Sequence, residues 1–447
     1  MVQGPMLLVI LLIAIVMIVA LISRFKVHAF LALLAASFFV GFAAGMNPVE
    51  VAKTIMKGFG STAERIGIVI IAGTIIGVFL EKTGAALTMA ESILRLVGPK
   101  RPALAMSMIG YITSIPVFCD SGFVILSALN KSLSRKTGVS MAVMATALST
   151  GLYATHTLVP PTPGPIAAAN NLHADLGMVI FIGLMVAIPV TVAGYLWATR
   201  FASQYQVLAD ASMSYEELRA KFQTLPSGFK AFTPLVLPIV LIALKSVANF
   251  PSLPFGSGAL KLTLDFIGEP MVALLLGLLF CFSLVPKLNE DVLSGWVGEG
   301  IKDSAAIIMI TAAGGSLGAL LAASKIADYL GASLAAFNLG IFLPFLIAAA
   351  LKTAQGSSTV ALITTSAIVY PLLESLGLAT PMGAVLATMA VGCGAMVISH
   401  ANDSYFWVVS QFSSLKVDLA YKCHSLGTLV QGLVGIAVVY LLKIILI

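Results

Sequence analysis

The chain has 447 residues, 59% hydrophobic and 10% charged, with a mean hydropathy of +1.04 and a formal net charge of +6. A soluble chain carries roughly 25% charged residues, so a water-soluble fold is excluded and an all-α polytopic membrane protein is expected. Lys and Arg are scattered singly and in pairs between apolar runs rather than gathered on one face with aromatics, which excludes nucleic acid as a partner.

Apolar runs of about 20 residues recur, each long enough at about 1.5 Å per residue to cross the roughly 30 Å hydrocarbon core. Pro5 to Ile22, His28 to Gly45, Ala174 to Thr199 and Ser425 to Leu446 are plain cases. Backbone polar groups cannot stay unpaired in lipid, so these runs are expected to be helices; weak alternation argues against a barrel. Nothing basic precedes the first run and no small-residue cleavage site follows it, so it reads as a retained span rather than a secretory signal. The four cysteines, Cys119, Cys281, Cys393 and Cys423, lie far apart and form no C-x-x-C pair, and read as small buried hydrophobes.

The longest polar stretch, Ser203 to Lys230, reads as a cytoplasmic linker, residues 201–230, between halves 1–200 and 231–447. Asn47 to Gly77 matches Asn289 to Gly318, ending in Gly73-Thr74-Ile75-Ile76-Gly77 and Gly314-Gly315-Ser316-Leu317-Gly318. Phe118-Cys119-Asp120-Ser121-Gly122 matches Ala354-Gln355-Gly356-Ser357-Ser358, and Thr155-His156 matches Ser399-His400. These landmarks keep an offset of about 240 residues, which marks a duplication. With the N-terminus outside, Arg24, Lys26, Lys100, Arg101, Lys131, Arg135, Lys136 and the linker all face the cytoplasm, while Lys53, Lys57 and Arg65 face away. The second half then enters the membrane in the opposite sense. Inverted repeats with midplane sites made from broken helices are the organisation of secondary transporters.

Residues 103–130 are apolar on both flanks but interrupted by Pro116, Asp120, Ser121 and Gly122; residues 339–373 are interrupted at Lys352 to Thr359. Both read as re-entrant hairpins, whose non-helical tips require a polar cavity. A helix N-terminus after each tip would offer free N–H groups to an anionic solute. Two broken helices follow, at about 138–165, where Thr155-His156-Thr157 precedes Pro160, Pro161, Pro163 and Pro165, and at about 381–412, around Ser399-His400-Ala401-Asn402-Asp403-Ser404. Ionisable groups inside a membrane are functional candidates, here Asp120, Lys352 and Asp403, beside the alternative of a structural ion pair. His156 and His400, at matching repeat positions, join Asp120 and Asp403 as candidates for proton coupling. Asp265 and Glu269 read as interfacial loop residues. Gly314 to Gly318 matches a hydrolase nucleophile elbow only formally, inside an apolar helix. No H-E-x-x-H, triad order, metal-ligand cluster or Walker A sequence occurs, so neither an enzyme nor a cofactor is expected.

Ser114 to Phe123, Thr155 to Pro165, Ala354 to Ala361 and Ser399 to Ser404, in this order over nearly the whole chain, resemble the gluconate permease family, the gluconate:proton symporters of the ion transporter superfamily. The resemblance implies a homodimer in the cytoplasmic (inner) membrane, an inverted-repeat fold with paired hairpins, and a substrate domain that moves against a scaffold. It also implies a sugar acid, gluconate or a related hydroxylated carboxylate, carried with protons. Thr162 stands where many gluconate-type members have histidine, which keeps fructuronate, glycerate and D-serine open as cargo; sodium coupling also stays open. The expected substrate contacts are Lys352 and the hairpin-tip amides to the carboxylate, with Ser121, Gly122, Thr155, Gln355, Gly356, Ser357, Ser358 and Asn402 around it.

Overall fold

The computed structural model describes residues 6–98, 101–115, 117–209, 215–220, 222, 224–249, 255–324, 339–400 and 403–447. Among them the chain is helical, with no strand. The first half holds α1 (Met6–Val19), α2 (Ala29–Ala43), α3 (Pro48–Lys82), α4 (Ala85–Val97), α5 (Pro102–Thr113), α6 (Cys119–Thr137), α7 (Met141–Leu158), α8 (Pro163–Asn171) and α9 (Leu176–Arg200). After the short α10 (Tyr215–Ala220) come α11 (Gly228–Ala248), α12 (Ala259–Ile267), α13 (Pro270–Cys281), α14 (Val297–Ala323), α15 (Phe342–Gln355), α16 (Ser358–Val369), α17 (Pro381–Ala395), α18 (Ser404–Phe412), α19 (Val417–Ala420) and α20 (Leu426–Leu446). The four runs singled out in the sequence emerge as α1, α2, α9 and α20.

Starts and stops are written locally. Asn47 caps α3 by accepting from Val49 N–H at 2.9 Å, Asp175 caps α9 through Met178 N–H at 2.7 Å, and Ser357 caps α16 through Val360 N–H at 3.2 Å. Proline occupies the first position of α3, α5, α8, α13 and α17, where its missing N–H costs nothing. Among the described residues, Leu176–Gln204, Gly228–Lys245, Asp291–Leu321 and Val417–Leu446 are long and apolar enough to cross a bilayer. Pro48–Glu64 with Gly67–Lys82, and Ala259–Ile267 with Pro270–Leu284, qualify as bent pairs.

Both expected interruptions in the 103–130 and 339–373 segments are present as helix breaks. The first lies between the end of α5 at Thr113 and the start of α6 at Cys119, so Asp120, Ser121 and Gly122 form the opening turn of α6 rather than a tip. The second is only Gly356 and Ser357, where Gly356 at φ 92° adopts a backbone that side chains rarely tolerate. The two broken helices separate as α7 from α8 and α17 from α18. Asp265 lies inside α12, not in a loop, and its carboxylate pairs with Lys261 at 2.6 Å; Glu269 pairs with Lys245 at 2.5 Å. The linker is tied down: Ser140 Oγ donates to Tyr205 O at 2.7 Å and Thr88 Oγ1 to Pro226 O at 3.1 Å.

Close approach of small residues sets the packing, as it must where lipid supplies no hydrophobic drive between helices. α3 crosses α14 with Gly58 on Gly315: a Cβ on Gly315 would lie 2.1 Å from Thr62 Oγ1, and one on Gly58 2.7 Å from Gly315 O. Ser316, the serine of the elbow-like sequence, donates to Ile55 O at 2.9 Å across this crossing, which accounts for it as a packing residue. α5 meets α7 where a Cβ on Gly151 would be 2.3 Å from Ser107 O, and α15 meets α17 where one on Gly394 would be 2.3 Å from Phe345 O. Other contacts come in swapped pairs: α2 packs on α14 and α13 on α3; α8 packs on α16 and α18 on α6.

A Gly315→Val substitution has to push α3 from α14, and overpacking of this kind costs about 1–3 kcal/mol. Gly60 of α3, the helix that Gly315 meets, has open space at its Cβ position, so Gly60→Ala is expected to hold or raise stability. Melting temperatures of the two detergent-purified variants check this; equal values would contradict the crossing.

Candidate functional site

The second-half breaks create the most unusual local chemistry. Lys352 lies in the last turn of α15 and is wholly buried, 0% exposed. Its ammonium donates to the carbonyl of Gly356, which closes its own helix end, and to Asp403 Oδ2 at 2.5 Å. The Tyr153 ring centroid lies 5.9 Å from Nζ, adding a cation–π contact. Asp403 caps α18: Oδ1 accepts from Tyr405 N–H at 3.1 Å, and Oδ2 also accepts from Ser399 Oγ at 2.6 Å. His400 Nε2 sits 2.8 Å from Thr353 O, a second tie between the two breaks. An ammonium removed from water is tolerable only with a charge partner and hydrogen-bond acceptors, and this one has the Asp403 carboxylate and the Gly356 carbonyl.

In front of this pair lies a cavity of about 430 Å³, inside the range of small-molecule sites. Its wall is built from Phe118, Cys119 and Asp120 at the start of α6, Tyr153 and His156 of α7, Ile307 and Ile310 of α14, Gly356 to Val360, and Asp403 to Tyr405. The N-termini of α6, α16 and α18 therefore all end at it, and each brings free N–H groups and a positive dipole end. Asp120 Oδ1 and His156 Nδ1 are buried without a hydrogen-bond partner. Tyr153 stacks on His156 with centroids 6.3 Å apart and contacts the Tyr405 ring at 5.2 Å.

The expected site residues separate into three groups. Asp120, His156, Gly356, Ser357, Ser358 and Asp403 line the cavity. Lys352 stands behind Asp403 and Gly356, off the cavity wall; Gly122 is buried against Leu152, where a Cβ would come within 2.8 Å, and Thr155 Oγ1 donates to Tyr111 O at 2.9 Å, tying α7 to α5. His400 is bonded to α15 rather than to the cavity. Asn402 lies outside the described residues, as do the side chains of Ser121 and Gln355. Thr162 Oγ1 is turned to Val159 O at 2.6 Å and His156 O at 3.1 Å, inside the break.

The sequence reading passed over Tyr153, Tyr405 and the α14 pair Ile307 and Ile310, which look like ordinary apolar-run residues. It also passed over His424, which is fully buried with Nε2 3.0 Å from Ser399 Oγ and Nδ1 3.1 Å from Ser149 Oγ. Its position as an ionisable residue at the edge of an apolar run was the available signal.

Comparison with known proteins places these features. The chain is similar over 97% of its length to a gluconate permease of Pseudomonas aeruginosa, 33% identical and covered over 97% of that protein. It is 33% identical to the D-serine transporter DsdX of Escherichia coli strain K12, over 97% of this chain and 98% of that one. The crystal structure of the Alcanivorax borkumensis YdaH transporter, described as revealing an unusual topology, superposes with a TM-score of 0.64 over 89% of this chain and 88% of that chain at 15% identity, a likeness of fold. The family model for GntP family permeases matches residues 6–445. A match from one end of the helical body to the other, with breaks and cavity where a carrier needs them, means that the chain belongs to the GntP permease family.

Proposed function

We propose that this permease imports a sugar acid, gluconate or a related hydroxylated carboxylate, by proton symport across the cytoplasmic (inner) membrane. The observation that carries the reading is a cavity where three helix N-termini end, with Asp403 in its wall and Lys352 paired to Asp403 directly behind it. The N–H groups of α6 and α16 favour a carboxylate, and Ser357 and Ser358 offer hydroxyls to a polyol chain. Ser121, Gln355 and Asn402 are assigned to the same hydroxyl-binding set by their sequence positions.

Asp403 already occupies Lys352 with a carboxylate. Neutralising Asp403 with a proton removes that competitor and leaves an uncompensated ammonium, which is costly in a buried site and is best met by the carboxylate of the cargo. Binding of proton and anion is thereby linked in one step. Asp120, His156 and His400 are the further groups assigned to proton coupling, Asp120 and His156 with unpartnered atoms.

The reading includes inverted repeats, 1–200 and 231–447. Its support is the set of swapped helix contacts and the paired close approaches at Gly151 and Gly394. It also includes a homodimer in which a substrate domain moves against a scaffold. A second reading, D-serine as cargo, is favoured by one observation: Asp120 Oδ1 is free to receive an ammonium. The relative named as a D-serine transporter is as similar as the gluconate permease.

Labelled gluconate is expected to accumulate in proteoliposomes under an inward proton gradient, to leak back when a protonophore is added, and to accumulate equally when choline replaces sodium. Accumulation that needs sodium would replace the proton in this reading. Excess unlabelled D-serine competing more strongly than unlabelled gluconate would favour the second cargo. Lys352→Met, which keeps the bulk and removes the charge, is expected to abolish uptake although it leaves Asp403 buried and unpaired at a cost of about 3–5 kcal/mol. The protein level in the membrane fraction must be measured beside it, and uptake at normal affinity would take Lys352 out of the site.

A further inference from the structure

From Asp403 Oδ2, the oxygen that also meets Lys352, runs a second polar chain through Ser399. Ser399 is held on every polar atom: its N–H donates to Thr428 Oγ1 at 3.0 Å, its carbonyl accepts from Ser425 Oγ, and its hydroxyl lies between Asp403 Oδ2 at 2.6 Å and His424 Nε2 at 3.0 Å. His424 sits in a π-helical turn, Tyr421–Ser425, an irregularity that is frequent at functional sites. Beyond the ring, Nδ1 meets Ser149 Oγ at 3.1 Å, and Ser149 Oγ is also 3.2 Å from Thr146 O.

Proton counting fixes the polarity of this chain. Ser399 has one hydroxyl proton, and a carboxylate can only accept it, so His424 Nε2 must carry a hydrogen and donate to Ser399 Oγ. With neutral imidazole, Ser149 then donates to Nδ1. With imidazolium, Nδ1–H donates to Ser149 Oγ, whose own proton turns to Thr146 O. Both protonation states are satisfied without moving a heavy atom, which an ordinary buried histidine does not offer.

We infer that His424 is a proton-carrying residue of the transport cycle, joined to Asp403 by a wire of one hydroxyl, Ser399. In the transfer, the imidazolium gives its Nε2 proton to Ser399 Oγ while the Ser399 hydroxyl proton passes to Asp403 Oδ2. Imidazolium and carboxylate become neutral imidazole and carboxylic acid, Nδ1–H stays on Ser149, and no heavy-atom bond changes. Asp403 then donates back to Ser399 and Ser399 to Nε2, so the reversed chain is also filled. The charged groups that act on His424 are Asp403 and Lys352; Tyr153 and Tyr405 face it with their rings at 6.5 and 5.2 Å, and Lys422 of its own turn lies over Tyr205 instead. This inference rests on the proposed proton symport.

The test uses purified full-length protein in proteoliposomes, with labelled gluconate followed both under an inward proton gradient and in gluconate–gluconate counterflow without one. His424→Gln keeps a donor toward Ser399 but carries no proton, and Ser399→Ala interrupts the wire with the ring intact. Both are expected to lose gradient-driven accumulation and to retain counterflow, while Ser399→Thr, which restores the hydroxyl, regains accumulation. Accumulation by His424→Gln at the level of the unsubstituted protein overturns the wire. Loss of counterflow together with accumulation in both variants also overturns it, since that is what a packing role predicts. If the unsubstituted protein itself accumulates no gluconate, the proposed function fails first and the wire falls with it.

Discussion

The contact on which the site depends is the one between Lys352 and Asp403. A fully buried ammonium would cost several kcal/mol if its partner were absent, so the segments that supply the partner and the second acceptor are constrained together. Gly356 must end α15 with its carbonyl turned back to Nζ, and the chain before α18 must place Asp403 where one oxygen caps the helix and the other meets the lysine. The break after α15 and the break before α18 are thereby locked to each other, with His400 on Thr353 as a second tie.

That lock is confined to one half of the chain. In the first half the corresponding place offers Asp120 and His156, with unpartnered buried atoms, and among the described residues no basic side chain pairs with Asp120. The helix contacts come in swapped pairs while the charges do not, so under the proposed repeat the cavity is asymmetric. Close glycine contacts hold the helices together, and the non-helical backbone at Gly356 and Ser357 borders the polar cavity.

In the proposed cycle, anion recognition and proton recognition share the same atoms. Asp403 Oδ2 meets both Lys352 and the hydroxyl–imidazole chain through Ser399 and His424, so in that cycle it would compete with an anionic cargo for Lys352 and also end the proton path. A carboxylate in both roles converts a change of protonation into a change of affinity without a large rearrangement.

Composition alone determined the membrane class, because no aqueous fold hides so much apolar surface, and the prolines from Pro160 to Pro165 and the polar run Lys352 to Thr359 marked where helices had to stop. Asp120, Lys352 and Asp403 were visible because charge is rare in apolar runs. The exact turn was less legible: Asp120 to Gly122 read as a tip but wind into α6, since one turn of helix after a break has no periodicity of its own to detect. Which side chains meet was decided only by the tertiary structure. Lys352 and Asp403 are 51 residues apart, and His424 reaches Ser149 across 275, distances over which local pattern carries no information. That Thr155 Oγ1 bonds the Tyr111 carbonyl of α5, and that the His424 ring lies between the hydroxyls of Ser399 and Ser149, was likewise visible only once the helices were packed.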